Sequence, residues 1–398
     1  MLLELFLAVI AGITCGIFTG LIPGLHVNLI TAIVVGSASM LAGISPFLLS
    51  VFILSLALTH SFLDSIPSIY LGAPDADQVL SVLPGHQMLL EGRGHHAVTY
   101  TLVGSFAALI LTIIFFPLGL QVLEPAQSFL EPYVGKLLLA IILFLLIMSR
   151  KFLLNTVFFL TAGLLGLLCF SLVHQQHILL PLLSGLFGTS TLILSLNSPS
   201  HLPEQDCSKT IPLKFTDIEN TVSRATFVGM LASFLPGFGS SQAAIVASAT
   251  MKRKTPRDYL LLVGGINTVN FAFSLVTITL LGKARNGAVL GMSNLLETIT
   301  THHLHIFVPV LLVTGGVAVI LGLTLSKKMS RLLQKVDYHK LVIGVILFLL
   351  LVVIILSGVQ GVLILVTATA LGLLAAQYGA QKNMLLGCLI LPVILYLW

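Results

Sequence analysis

Apolar runs close to the ~20 residues that an α-helix needs to cross a hydrocarbon core follow one another along most of this chain. They lie at 46–71, 97–122, 134–149, 152–172 and 178–196, and again at 256–281, 305–325, 340–356, 359–376 and 384–398. Segments of that kind are stable in lipid only as helices, which bond their own backbone. Charged residues are scarce to match, 8% of 398 positions against about 25% in soluble domains. The reading is an all-α polytopic membrane protein. The opening MLLELFLAVIAG lacks a basic n-region and a clean cleavage site, so it reads as part of the first membrane element rather than as a signal peptide.

The remaining composition excludes several functions. A net charge of +5 does not point to nucleic acid, because the basic residues sit in short loops between apolar runs, where topology explains them. Cys15, Cys169, Cys207 and Cys388 are far apart and three lie in apolar runs. They fit no zinc or redox spacing and read as small buried side chains. His95, His96, His302, His303 and His305 have no carboxylate or thiol at ligand spacing, so no metal site is expected. No HExxH, cysteine-nucleophile or phosphate-transfer signature supports an intramembrane enzyme built on His60 and Asp64.

Two Pro-Gly pairs interrupt the apolar pattern, in GIFTGLIPGLHVNL (16–29) and VGMLASFLPGFGSSQ (228–242). Superposing them pairs Pro23 with Pro236 at an offset of 213, and further on YLGAPDADQVL (70–80) matches LLGKARNGAVL (280–290) at an offset of 210. One duplication with a three-residue gap accounts for both. The expected organisation is a first repeat at 1–198, a cytoplasmic linker at 199–221 and a second repeat at 222–398, each half a re-entrant broken element followed by five spans. Five crossings per half invert the second half. Sixteen of the 19 Lys and Arg then share the cytoplasmic side and only Lys136, Lys283 and Arg285 fall opposite, with both termini extracytoplasmic.

Inverted repeats with broken helices are the architecture of secondary transporters, whose sites lie where the breaks meet near the midplane. A plain kink would explain one Pro-Gly copy; two at equivalent positions point to a substrate site. The residues expected there are Pro23, Gly24, His26 and Asn28 in one copy and Pro236, Gly237, Gly239, Ser240, Ser241 and Gln242 in the other. New helices are expected to start at about Val27 and Ser240, aiming free N–H groups and positive dipole ends at the break, which suits an anion. The next span of each half adds His60 and Asp64, at i and i+4, and Asn267 and Asn270. An ionisable pair inside a membrane span is a functional candidate by default. A proton relay, a coupling-ion site and an ion pair that fixes helix packing all remain open for it.

These residues carry a family resemblance. The Gly-rich G-x-x-x-G-x-x-PG of 16–24 with its repeat at 229–239, DSIPSIYLGAPD (64–75), PGHQMLLEGRGHHAV (84–98) and GGINTVNFAFS (264–274) together resemble the large permease subunit of tripartite tricarboxylate transporters, the TctA family. Asp64 and Asp75 stand where that family has glycine, and of its paired Asn residues only Asn270 is matched, beside Val269. The resemblance implies a secondary transporter of a carboxylate-type organic anion in the cell membrane, without an organic cofactor and coupled to Na+ or H+. It also implies a small membrane subunit and an extracytoplasmic binding protein as partners, and leaves the oligomeric state open. A related inverted-repeat family with its own Pro-Gly breaks translocates undecaprenyl phosphate, so a flippase for a polyprenyl-phosphate lipid is the alternative for the same anion site.

Overall fold

The computed structural model describes residues 2–397 apart from 24, 26, 39, 42, 74–80, 150, 173–177, 197–202, 208–214, 236–238, 252–254, 283–285 and 336. Among the described residues all regular structure is helical. The first half runs α1 (Leu2–Leu21), α2 (Val27–Gly36), α3 (Pro46–Leu63), α4 (Ser65–Tyr70), α5 (Val82–Leu90), α6 (Gly94–Leu130), α7 (Val134–Ile147) and α8 (Phe152–Leu172). It closes with α9 (Leu179–Leu183), a π-helical turn over Ser184–Thr189, and α10 (Ser190–Ser195). The second half runs α11 (Phe215–Phe234), α12 (Ser240–Ala249), α13 (Pro256–Leu281), α14 (Gly287–Leu296), α15 (Thr301–Leu333), α16 (Tyr338–Gln377) and α17 (Gly387–Tyr396).

Among the described residues, seven helical segments are long and apolar enough to cross a membrane, which makes this a multi-pass membrane protein. Two of them form its centre. The spans Pro46–Tyr70 and Pro256–Leu281 have 78% and 94% of their most apolar windows buried, against 22–39% for the other five. The outer helices turn large apolar side chains outward, among them Phe18, Ile114, Leu153, Ile320 and Ile355, as a lipid-facing surface requires.

Lipid tails are as apolar as Leu, so burial of apolar area does not drive helices together in a bilayer; close packing through small residues does. On α1, Gly12, Gly16 and Gly20 recur every fourth residue and share a face. A Cβ there would lie 2.5 Å from the Phe52 carbonyl oxygen, 2.7 Å from that of Leu56 and 2.8 Å from Leu63 Cβ respectively, so the glycines let α1 lie against α3. The two halves are joined in the same manner. Gly104 of α6 packs on the Leu261 carbonyl of α13, Gly264 of α13 packs on the Thr101 carbonyl of α6, and Ser105 Oγ donates to the Gly264 carbonyl at 2.9 Å.

The expected spans need two adjustments. The runs 340–356 and 359–376 stay separate as expected: α16 is two helices that meet at a kink at Gly358, whose non-helical φ of 57° and ψ of −158° suit a residue without a Cβ. The run at 46–71 is divided at Asp64 into α3 and α4, although Asp64 keeps helical angles (φ −60°, ψ −21°) and its N–H still donates to the His60 carbonyl. Two short helices, α5 and α14, occupy segments outside the expected spans; at 9 and 10 residues they are too short for a span-length pattern to reveal.

Several features of the first half return in the second. α1 and α11 have 20 residues each, and α2 and α12 have 10 each. α3 starts on a Ser45-Pro46 cap, with Ser45 Oγ accepting from Leu48 N at 3.3 Å. α13 starts on a Thr255-Pro256 cap, with Thr255 Oγ1 accepting from Asp258 N at 3.2 Å. Gly72 and Gly282, paired in sequence, both have positive φ, 60° and 61°. The closing helices are exchanged: α17 packs on α8 of the first half, and α16 packs on the α9–α10 segment.

Candidate functional site

The site is built on the two central spans. His60 and Asp64 are one helical turn apart, at the end of α3 and just after it, and are only 6% and 3% exposed. Gly20 lets α1 approach the backbone of His60 and shields this turn from lipid. Across from it, Asn267 of α13 donates from Nδ2 to Asp64 Oδ2 at 3.0 Å and, at a longer 3.4 Å, to the Ser61 carbonyl. His60, Ser61, Asp64 and Asn267 line a cavity of about 30 Å³ with Val27, Ala57, Phe271 and Asn286. That volume takes a water or a bare cation rather than a tricarboxylate.

Two helix starts line the cavity and a third lies one turn away along α13. α1 ends at Leu21 and α2 begins at Val27; α11 ends at Phe234 and α12 begins at Ser240. Val27, the first residue of α2, lines the cavity. So does Asn286, the N-cap of α14, whose Oδ1 accepts from Ala288 N at 2.8 Å. α2 and α14 lie side by side because α14 has glycine at 287 and 291: a Cβ at Gly287 would lie 2.5 Å from Asn28 Oδ1, and Gly291 packs on Thr31. The start of α12 reaches α13 one turn beyond Asn267, where Asn270 Nδ2 donates to Ser240 Oγ at 3.0 Å.

Of the sequence-derived candidates, the structure therefore joins His60, Asp64 and Asn267 around one cavity and pairs Asn270 with Ser240. Asn28 lies against α14 rather than in the cavity lining. Ser240, Ser241 and Gln242 are buried in the first turn of α12, and Gln242 Oε1 would lie 3.2 Å from a Cβ at Gly239, so its side chain folds back over that residue. Pro23 is half-buried after α1. Gly24, His26, Pro236 and Gly237 lie outside the described residues. Sequence reasoning missed Ser61, Phe271 and Asn286. Only Asn286 carries a local signal, an Asn just before an apolar helical run, which is an N-cap preference.

A second buried polar cluster stands apart from the cavity. Tyr70 of α4 bonds to Ser326 Oγ and Ser330 Oγ of α15 at 2.9 and 2.6 Å, and His95 Nδ1 meets the same Ser326 Oγ at 3.0 Å. His86 of α5 has Nδ1 3.0 Å from the Ile69 carbonyl and Nε2 2.7 Å from Tyr338 OH. The carbonyl can only accept, so Nδ1 carries the proton and Nε2 accepts from the tyrosine. Burial holds the His86 pKa below its usual value. His96 pairs with Asp206 at 3.4 Å. His95 and His96 thus each have a partner in the fold.

Helices alone among the described residues, with buried polar side chains gathered between two central spans, define a multi-pass membrane protein. The protein belongs to the tripartite tricarboxylate transporter TctA family, whose match covers residues 6–387. It is also 28% identical over 405 aligned positions to an uncharacterized protein of Methanocaldococcus jannaschii, covering 98% of each chain. No solved structure matches it. The family match lends no support to the polyprenyl-phosphate alternative.

Proposed function

We propose that this protein is the permease of an ion-coupled secondary transporter for a carboxylate-type organic anion. The anion would be held between the two Pro-Gly segments, and His60 and Asp64 would carry the coupling of Na+ or H+. The observation that carries this reading is the convergence of two restarted helices on adjacent turns of α13. Val27 lines the cavity with Asn267, Ser240 bonds Asn270, and three residues of α13 rise only ~4.5 Å. Helix starts gathered around a low-dielectric site attract negative charge, while a buried carboxylate beside them attracts a cation. An anion and a coupling cation in adjoining subsites neutralise each other, which lowers the cost of carrying either through lipid.

The inverted duplication is part of the proposal. The shared cap positions, the paired left-handed glycines at 72 and 282 and the exchanged closing helices all support it. With it go both termini outside the cell membrane, and a small membrane subunit and an extracytoplasmic binding protein as partners. Because the cavity is small, loading a tricarboxylate requires α2 and α14 to separate from α3 and α13. Proteoliposomes test the reading. Labelled citrate and smaller dicarboxylates should accumulate under an inward Na+ or H+ gradient when the partner proteins are present. Failure of every such acid under both gradients, with polyprenyl-phosphate flip in the same vesicles, would overturn it.

A further inference from the structure

The first two turns of α16 border an open apolar groove that the transport reading does not use. It has a volume of about 410 Å³ and is lined by Leu71, Lys340, Leu341, Gly344, Val345 and Phe348. Nothing lies within 4 Å of a Cβ placed on Gly344, so the missing side chain keeps the groove open. The nine residues from Lys340 to Phe348 rise ~12 Å along the helix. The groove therefore runs from a charged helix end into the apolar body of the span.

Charge identifies its occupant. Residues 327–340 hold five basic side chains, Lys327, Lys328, Arg331, Lys335 and Lys340, and one acid, Asp337. Lys328, Arg331, Lys335 and Lys340 are exposed. The Asp337 carboxylate is taken up in capping α16, accepting from Lys340 N at 3.1 Å. Five basic side chains against one acid leave a cationic rim above an apolar slot, which matches a molecule with an anionic head and a hydrocarbon tail. Basic pockets beside membrane helices bind acidic lipid headgroups on this principle.

We infer that this groove is a binding site for an anionic phospholipid, with the phosphate at Lys335 and Lys340 and an acyl chain along Leu341, Gly344 and Phe348. The inference is independent of the transported substrate. The test uses the full-length protein in phosphatidylcholine nanodiscs carrying trace spin-labelled phosphatidylglycerol or phosphatidylcholine, and reads the immobilised fraction of each. Wild type should immobilise phosphatidylglycerol preferentially. Changing Lys340→Gln should lower that preference about fivefold, and adding Lys335→Gln should lower it again by a similar factor. Gly344→Leu should release both lipids by filling the slot, with no loss of thermal stability because the space is open. Lys136→Gln, a basic residue of α7, should change nothing. Equal immobilisation of the two lipids by wild type, or unchanged immobilisation in a stable Gly344→Leu protein, would overturn the inference.

Discussion

At the scale of single residues, Asp64 and its partner Asn267 matter most. A carboxyl group only 3% exposed depends on the donors around it, and losing a partner of a buried polar group costs about 1–3 kcal/mol. Asn267→Ala should therefore lower the thermal midpoint in detergent and reduce uptake; unchanged stability would remove Asn267 as a support of Asp64. Asp64→Asn should keep the fold and lose the response to the ion gradient, measured as uptake with and without the gradient. His86 gives a pH test. Burial lowers its pKa from the usual 6.5, so the unfolded chain takes up a proton first as pH falls. The stability owed to neutral His86 is complete above about 6.5 and declines below it, toward the lower folded-state value. His86→Gln should flatten that part of the curve of melting temperature between pH 7.5 and 5.5. A variant that loses stability as steeply as wild type would place the acid sensitivity elsewhere.

Among the helices, the sequence makes some features plain and hides others for identifiable reasons. The starts of α2 and α12 at Val27 and Ser240 follow from proline and glycine chemistry, and the central spans follow from length and apolarity. The pairing of α2 with α14 was not legible. It rests on Gly287 and Gly291 meeting Asn28 and Thr31, and glycine spacing reveals a packing face without naming the helix opposite. Asn267 was legible as a polar residue in a span, but its bond to Asp64 depends on how two spans rotate against each other, which local pattern does not encode. Gly16→Val supplies the test for this scale. Its added side chain would meet the Leu56 carbonyl and Thr59, so it should destabilise by about 1–3 kcal/mol from overpacking, read as a lower thermal midpoint. Indifference to the change would mean that α1 and α3 are less closely packed than described.

For the molecule as a whole, the proposed duplication places two halves of opposite orientation around one site. Cysteine accessibility reads the orientation. Arg331 and Ser128 are exposed and so available for labelling. In a background without the four native cysteines, Arg331→Cys should be labelled only from the cytoplasmic side and Ser128→Cys only from the outside. Labelling of both from one face would refute the inversion. The most direct measurement of the central claim is tricarboxylate uptake by Ser241 variants, compared at equal amounts of folded protein. Ser241 lies in the first turn of α12, next to the Ser240 that bonds Asn270. Ser241→Ala should weaken uptake modestly, since a neutral hydrogen bond contributes about 0.5–1.5 kcal/mol. Ser241→Asp should abolish it, because a fixed carboxylate would take the N–H donors and repel the substrate. Uptake by Ser241→Asp at the wild-type rate would contradict an anion site at these helix starts.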